Sequence, residues 1–208
     1  LVDRAALADI YDQRGLATDS LVSQATWGSP TVGCDVCEPD TKDARELLAQ
    51  VDGLPTIHID FDDSEIQRSV AKAIANDLSE GGLDAVIRPH DASKYADFVG
   101  SGQAELFRFG WIAQYPGAGA MLEPFLTDDN AFGADFSGLS TKAAKAQSMS
   151  ELDARRELWT QVQDDMFSKY VVIPVLEFST RLAVSDRVRG MRLDALGTFD
   201  PSEVYVAH

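Results

Sequence analysis

Cysteine and histidine are scarce in this chain: 2 Cys and 3 His among 208 residues. A structural zinc site needs four Cys or His ligands at suitable spacing. His58, His90 and His208 stand far apart along the sequence, so the Cys34–Cys37 pair has no partners for one. Long apolar runs are missing as well, and none approaches the ~20 residues of a membrane-spanning helix. Basic charge is also in short supply. Lys and Arg number 18 against 34 Asp and Glu, a net charge of −16. Divided after Ala104, the chain carries −11 (8 basic, 19 acidic) and −5 (10 basic, 15 acidic), so neither half is basic. That argues against a nucleic-acid partner, because phosphate neutralisation dominates such affinity. The acidity itself is read as solubility and locates no site. There is no P-loop, G-x-S-x-G, H-E-x-x-H or dinucleotide fingerprint, and no nucleophile, base and oxyanion donor can be grouped. No cofactor, metal or catalytic residue is therefore expected, and a small α/β hydrolase stands only as an alternative.

What is present is a regular alternation of helix and strand signals. At 208 residues and 45% apolar composition, one domain with a sizeable core is the natural reading. Asp3 caps a helix expected to run to Arg14, before Gly15. Leu16 to Pro39 keeps no period and contains Gly28, Pro30 and Gly33, so it reads as a long loop. Asp40 caps a helix whose stripe is Ala44, Leu47, Leu48 and Val51, ended by Gly53. A strand follows from Leu54 to Phe61. Ser64 caps a helix with the stripe Ile66, Val70, Ile74 and Leu78, stopped by Gly81 and Gly82. Leu83 to Pro89 is a strand, Tyr95 to Gly100 a short helix, and Glu105 to Ile112 a third strand. Gly117 to Leu126 and Ser137 to Met149 read as helices. The clearest helix spans Glu151 to Lys169, with Leu152, Leu158, Trp159, Val162, Met166 and Phe167 on one face. Strands are expected at Val171 to Phe178 and Arg181 to Val188, and an irregular segment at 191–208. Together these define an α/β fold, a mixed sheet flanked by helices.

Several residues invite a chemical role, and each also has a plainer one. Cys34 and Cys37 form a C-x-x-C, but Asp35 and Glu38 beside them disfavour a thiolate. The pair reads as a structural disulfide, with free thiols, and after them metal or redox chemistry, as the alternatives. So small a loop stabilises by only ~2 kcal/mol, and a disulfide would fit an oxidising compartment. The acidic pairs Asp62-Asp63, Asp128-Asp129 and Asp164-Asp165 read as solvated or helix-start charges. His58 and His90 lie on strands as ordinary strand residues. Trp159 belongs to a core stripe. Trp27 sits in the long loop with no evident role. Trp111 differs: it ends an apolar strand and precedes Tyr115-Pro116, where a loop on a rigid scaffold can present it to a ligand.

The segment from Glu105 to Pro116, ELFRFGWIAQYP, with Phe125-Leu126 after it, resembles the Gly-Trp-x-x-Asp-Tyr-Pro run and Phe-Leu pair of the peptide-type (family 5) solute-binding proteins of ABC importers. Other stretches are similar to the same family in the same order. They are Val2 to Leu7, Glu38 to Leu48, Ala71 to Val86, Ala154 to Trp159 and Val172 to Val175. The resemblance implies the second, C-terminal lobe of a two-lobed, class II periplasmic-binding-protein fold. Residues 1–208 would be that single lobe, and 191–208 the exit toward the first. The chain opens at Leu1-Val2-Asp3, inside a helix cap, and reads as an excised lobe. Its partners would be a small solute (a peptide or similar), the missing first lobe and the ABC permease subunits. Its home would be extracytoplasmic, with a lipid anchor in the full-length protein. A cell-surface sensor or interaction module on the same fold is an alternative.

The resemblance also nominates ligand-binding residues: Trp111, Gln114, Tyr115 and Arg108. Trp111 and Tyr115 supply faces for stacking. Peptide binders usually carry Asp where this chain has Gln114, and that Asp pairs with the ligand's α-ammonium. An amide offers no charge to a desolvated ammonium. Arg108 stands where some oligopeptide binders place an Arg for the ligand carboxylate; a sheet-surface Arg paired with an acid is the competing reading. Gly117 to Ala120 replace an acidic turn. These departures point away from a standard dipeptide site.

Overall fold

The computed structural model describes residues 1–12, 14–30, 33–34, 37–38, 40–127, 135–194 and 196–207. The elements in chain order are α1 (Arg4–Ile10), β1 (Gly15–Ala17), α2 (Thr41–Leu48), β2 (Ile57–Asp62), α3 (Glu65–Gly81), β3 (Ala85–His90), α4 (Tyr95–Gly100), β4 (Leu106–Phe107), α5 (Ala118–Leu122), α6 (Ser137–Ser148), α7 (Leu152–Phe167), β5 (Leu176–Phe178), β6 (Val188–Arg189) and β7 (Tyr205–Val206).

A parallel sheet of order β3-β2-β4 forms one half of the scaffold. Strand β2 is central: Ile59 pairs with Ile87 on one side and Leu106 on the other. Its side chains alternate, as a pleated strand requires. Ile59 and Phe61 are buried in a cluster with Ala71, Ile74 and Leu78 of α3. Asp60 is also fully buried, but bonded to Arg88 and His90. The crossover helix α3 is set by its ends. Ser64 accepts from the Gln67 N–H at the start, and Gly82 closes the helix in the left-handed region at φ 102°. Burying each large side chain of this cluster stabilises by about 1.5–3 kcal/mol.

The second core is helical. Trp159, Val162 and Met166 of α7 meet Leu139, Ala143 and Ala146 of α6, Leu122 of α5, Phe125 and Val22. Glu151 caps α7 by accepting from the Asp153 and Ala154 N–H groups. Gln163 is fully buried on α7 and takes the Ser20 hydroxyl and the Leu21 N–H, each at 2.9 Å. That contact orders the long loop after β1. Trp159 thus packs where its stripe puts it.

Several boundaries differ from the sequence reading. Helix α1 ends at Ile10, and Asp12 turns through φ 52°. Gly15 opens β1 instead of stopping a helix, because β1 pairs antiparallel with β5. A Cβ at Gly15 would already meet Leu176 at 3.3 Å. The third strand is only Leu106–Phe107; beyond it, side chains are drawn toward the helical core. No strand covers Arg181 to Val184, where Leu182 and Val184 are exposed. Val188–Arg189 instead pairs with Tyr205–Val206 from the segment read as irregular. Parallel and antiparallel pairings both occur, but among the described residues they lie in three small sheets, since β5 joins β1 and not the central sheet. The α2 stripe does not bury: Leu47 and Val51 are 65% and 54% exposed.

Candidate binding platform

The platform grows out of the end of the parallel sheet. Strand β4 hydrogen-bonds to β2, and the Arg108 N–H donates to the Asp60 carbonyl at 3.2 Å. Tyr95 on α4 secures the same point, its hydroxyl 3.1 Å from the Asp60 carbonyl and 2.7 Å from that of Arg108. Burial pushes the Tyr95 phenol up to about 12, so it stays a donor at every ordinary pH. Beneath it, the Asp60 carboxylate takes Arg88 in a fork (2.6 and 2.7 Å), His90 Nε2 at 2.6 Å and the Glu105 N–H at 3.2 Å. Burial alone would raise its pKa. The bonds from Arg88, His90 and Glu105, with the Arg88 charge, hold it below the ordinary value.

From Arg108 the chain leaves the sheet and climbs onto α5. Phe109 stands edge-on to the buried Phe125, ring centroids 5.7 Å apart. Trp111 stacks on Phe109, 6.2 Å between centroids and 10° between planes. The Trp111 indole N–H donates to the Ala120 carbonyl at 2.8 Å. The ring is therefore pinned at both ends while 40% of the residue stays in solvent. Tyr115 folds back onto α5. A Cβ at Gly117 would lie 3.1 Å from its ring, and one at Gly119 would lie 2.8 Å from its hydroxyl. That hydroxyl donates to Glu123 at 3.1 Å and accepts from Gln147 at 3.4 Å. Burial raises the Tyr115 pKa, and the neighbouring Glu123 charge adds to the rise.

Gln114 lies exposed between these two rings in sequence. Arg108 is exposed, with Nη1 3.7 Å from the Asp62 carboxylate. Ile112 is 83% exposed. Trp27, which sequence reasoning left unplaced, joins the group. Its carbonyl accepts from the Ala118 N–H at 3.1 Å, and it bridges to Gly117 at the start of α5. Its ring faces solvent and the Arg155 guanidinium, 4.5 Å from the centroid. Three aromatic residues from two separate stretches therefore converge on one short helix. No sequence signal links Trp27 to Gly117, because the pairing is non-local.

The other candidates have structural partners. Cys34 and Cys37 are joined in a disulfide, and the loop is tied by Cys34 N–H to Asp19 and by Arg4 to the Cys37 carbonyl. His58 meets Glu105, whose pKa falls through that contact. His90 stacks on Phe98 at 3.9 Å. Asp63 pairs with Arg68, and Asp165 with Lys142. Asp35, Asp128, Asp129 and His208 lie outside the described residues. Among the described residues no group of three or more His, Cys, Asp or Glu could hold a metal, and no helix is long and apolar enough to cross a membrane. A recess of about 290 Å³ is lined by Tyr11, Arg14, Ile66, Phe178 and Ser179 and shares no residue with the platform. Trp111, Gln114 and Tyr115 are themselves exposed.

Solved structures of longer binding proteins share this fold over the whole of this chain. HbpA2 from Haemophilus parasuis matches with a TM-score of 0.86 at 16% identity, over 100% of this chain and 43% of that one. OppA from Burkholderia pseudomallei matches at 0.80 and 19%, over 100% and 44%. The ABC transporter-associated periplasmic binding protein DppA from Helicobacter pylori, in complex with the peptide STSA, matches at 0.75 and 18%, over 100% and 42%. These likenesses show a shared fold, and this chain spans less than half the length of each protein. No family model and no curated protein matches the chain.

Proposed function

We propose that this chain is one lobe of an extracytoplasmic receptor that captures a small solute, a peptide or similar, for an ABC importer. Residues 1–208 supply one wall of a cleft, and a first lobe closes over it, with no chemistry on the ligand. Residues 191–208 lead toward that lobe. The observation that carries this reading is the part-exposed, doubly braced Trp111, with Tyr115 and Trp27 attached to the same short helix. An isolated soluble domain gains nothing by holding aromatic rings rigid at its surface, whereas a binding wall does. Trp111, Tyr115 and Trp27 stack on the solute, Gln114 offers an amide donor and acceptor, and Arg108 can turn from Asp62 to a ligand carboxylate. The Cys34–Cys37 disulfide suits an oxidising compartment. A lipid anchor in the full-length receptor and contact with permease subunits complete the proposal.

Calorimetry of the full-length receptor and of this chain against one peptide tests it. A pocket made of two walls excludes water only when both are present. The full-length form should bind and this chain only weakly. Trp111→Ala in the full-length form should cost about 1–3 kcal/mol, the order of a lost buried aromatic contact. Equal affinity of both forms would place the whole site within this chain and refute the cleft. Turnover of the peptide would instead favour a hydrolase.

A further inference from the structure

We infer that Glu123 is the specificity-determining residue of the platform, and that it selects a solute carrying a side-chain ammonium group. The inference rests on the proposed binding role of Trp111 and Tyr115. Three polar atoms converge on Gly119: a Cβ there would stand 2.8 Å from the Tyr115 hydroxyl, 2.9 Å from Glu123 Oε1 and 3.0 Å from Gln147 Oε1. The missing side chain makes room for a carboxylate to be held in place beside the aromatic wall. Tyr115 donates to Oε1. A carboxylate has about four acceptor positions, so most of its capacity stays open for a ligand.

The charges around the platform decide what that ligand is. Arg108 is already beside Asp62, and Arg155 lies over Trp27. Gln114 is neutral. Among the described residues no cation is paired with Glu123, which is exposed. Glu123 is thus the uncompensated charge bonded directly to a platform ring, and Tyr115 raises the stakes of closure. Once a second wall excludes water, a bare carboxylate is costly and an ammonium offsets it, whereas a second anion is rejected. The position also answers the loss of an acid at Gln114. Negative charge is retained at the platform, but moved to Glu123 just past the end of α5, where it meets a side chain of the solute.

The test uses three tripeptides, Ala-Lys-Ala, Ala-norleucine-Ala and Ala-Glu-Ala, titrated into the full-length receptor by calorimetry. All three share one α-ammonium and one carboxylate, so their affinity ratios isolate the central side chain. Wild type should prefer the Lys peptide over the norleucine peptide by about tenfold, between the value of an exposed ion pair and that of a desolvated one. Glu123→Gln should bring that ratio to about one, and Glu123→Lys should turn the preference to the Glu peptide, as reversal of a paired charge requires. A Lys preference that survives Glu123→Gln overturns the inference, and so does a wild-type ratio near one. In both cases the peptides still bind and Trp111→Ala still weakens them, so the binding role stands. If none of the three peptides binds, the peptide-binding reading fails and this inference fails with it.

Discussion

Asp60→Asn removes the one charge on which the platform's foundation rests. Asp60 is fully buried, and its carboxylate receives the Arg88 fork, His90 and the Glu105 N–H. An amide keeps the shape but turns an NH2 group toward the donors and leaves the Arg88 charge without its counter-ion. Breaking a buried pair by removing one partner costs about 3–5 kcal/mol. Here Arg88 is 36% exposed and can rehydrate, so the lower end, about 3 kcal/mol, is expected. Urea unfolding at neutral pH measures it. The sign of the pH dependence follows from the depressed pKa. The Asp60 contribution is fully present above the unfolded value of 3.8 and is lost as pH falls through the lower folded value. Wild type should therefore lose stability as pH falls below about 4, and Asp60→Asn should flatten that limb. Because the Asp60 carbonyl also holds Arg108 and Tyr95, the variant should bind solute less tightly as well. A loss under about 1 kcal/mol, the range of an exposed pair, with an unchanged acid limb would refute the reasoning.

Other outcomes are as specific. Thiol titration of unreduced protein should find neither Cys34 nor Cys37 free, and the double Ser variant should still fold cooperatively, with a loss near ~2 kcal/mol for so short a loop. Gln114→Asp should strengthen binding of peptides with a free α-amine relative to their N-acetylated forms, because it restores a charge opposite the ammonium; an unchanged ratio would remove Gln114 from the cleft. Trp27→Ala should weaken the same peptides in the full-length receptor without shifting the Tm by more than the loss of a surface cation–π contact of about 0.5–1 kcal/mol; unchanged affinity would leave Trp27 a loop brace only.

Much of the fold can be read along the chain because its determinants are local. Helix α3 needs only a Ser64 cap, an apolar stripe and the glycine at Gly82, all within a few turns of one another. Helix α7 is alike, with Glu151 at its start and Trp159, Val162 and Met166 on one face. Failures occur where the deciding partner is remote. Strand β1 is three residues long and exists because β5 lies beside it. Nothing within Gly15 to Ala17 announces that pairing. The reverse error arises at Phe107, Phe109 and Trp111. Their alternation imitates a strand, yet Phe109 is claimed by Phe125 and Trp111 by the Ala120 carbonyl. Tertiary packing outweighs β propensity there, as it commonly does.

The candidate site divides in the same way. Trp111 and Tyr115 are nominated in sequence chiefly by the resemblance of the 105–116 run, with an aromatic residue at a strand end before a Tyr-Pro turn as the local sign. Trp27 and Glu123 are not, since each acquires meaning only through α5. The Trp27 carbonyl meets the N–H of Ala118, and the Glu123 carboxylate is held through Tyr115 across the vacant side-chain position of Gly119. The run from Gly117 to Ala120 reads in sequence as the loss of an acidic turn. In the fold it is what lets Tyr115 lie flat on the helix and lets the loop of Trp27 approach it. Small residues there are thus the condition for bringing the Tyr115 ring and the Glu123 carboxylate together. A bulky side chain at Gly119 would take the space that Tyr115, Glu123 and Gln147 now share.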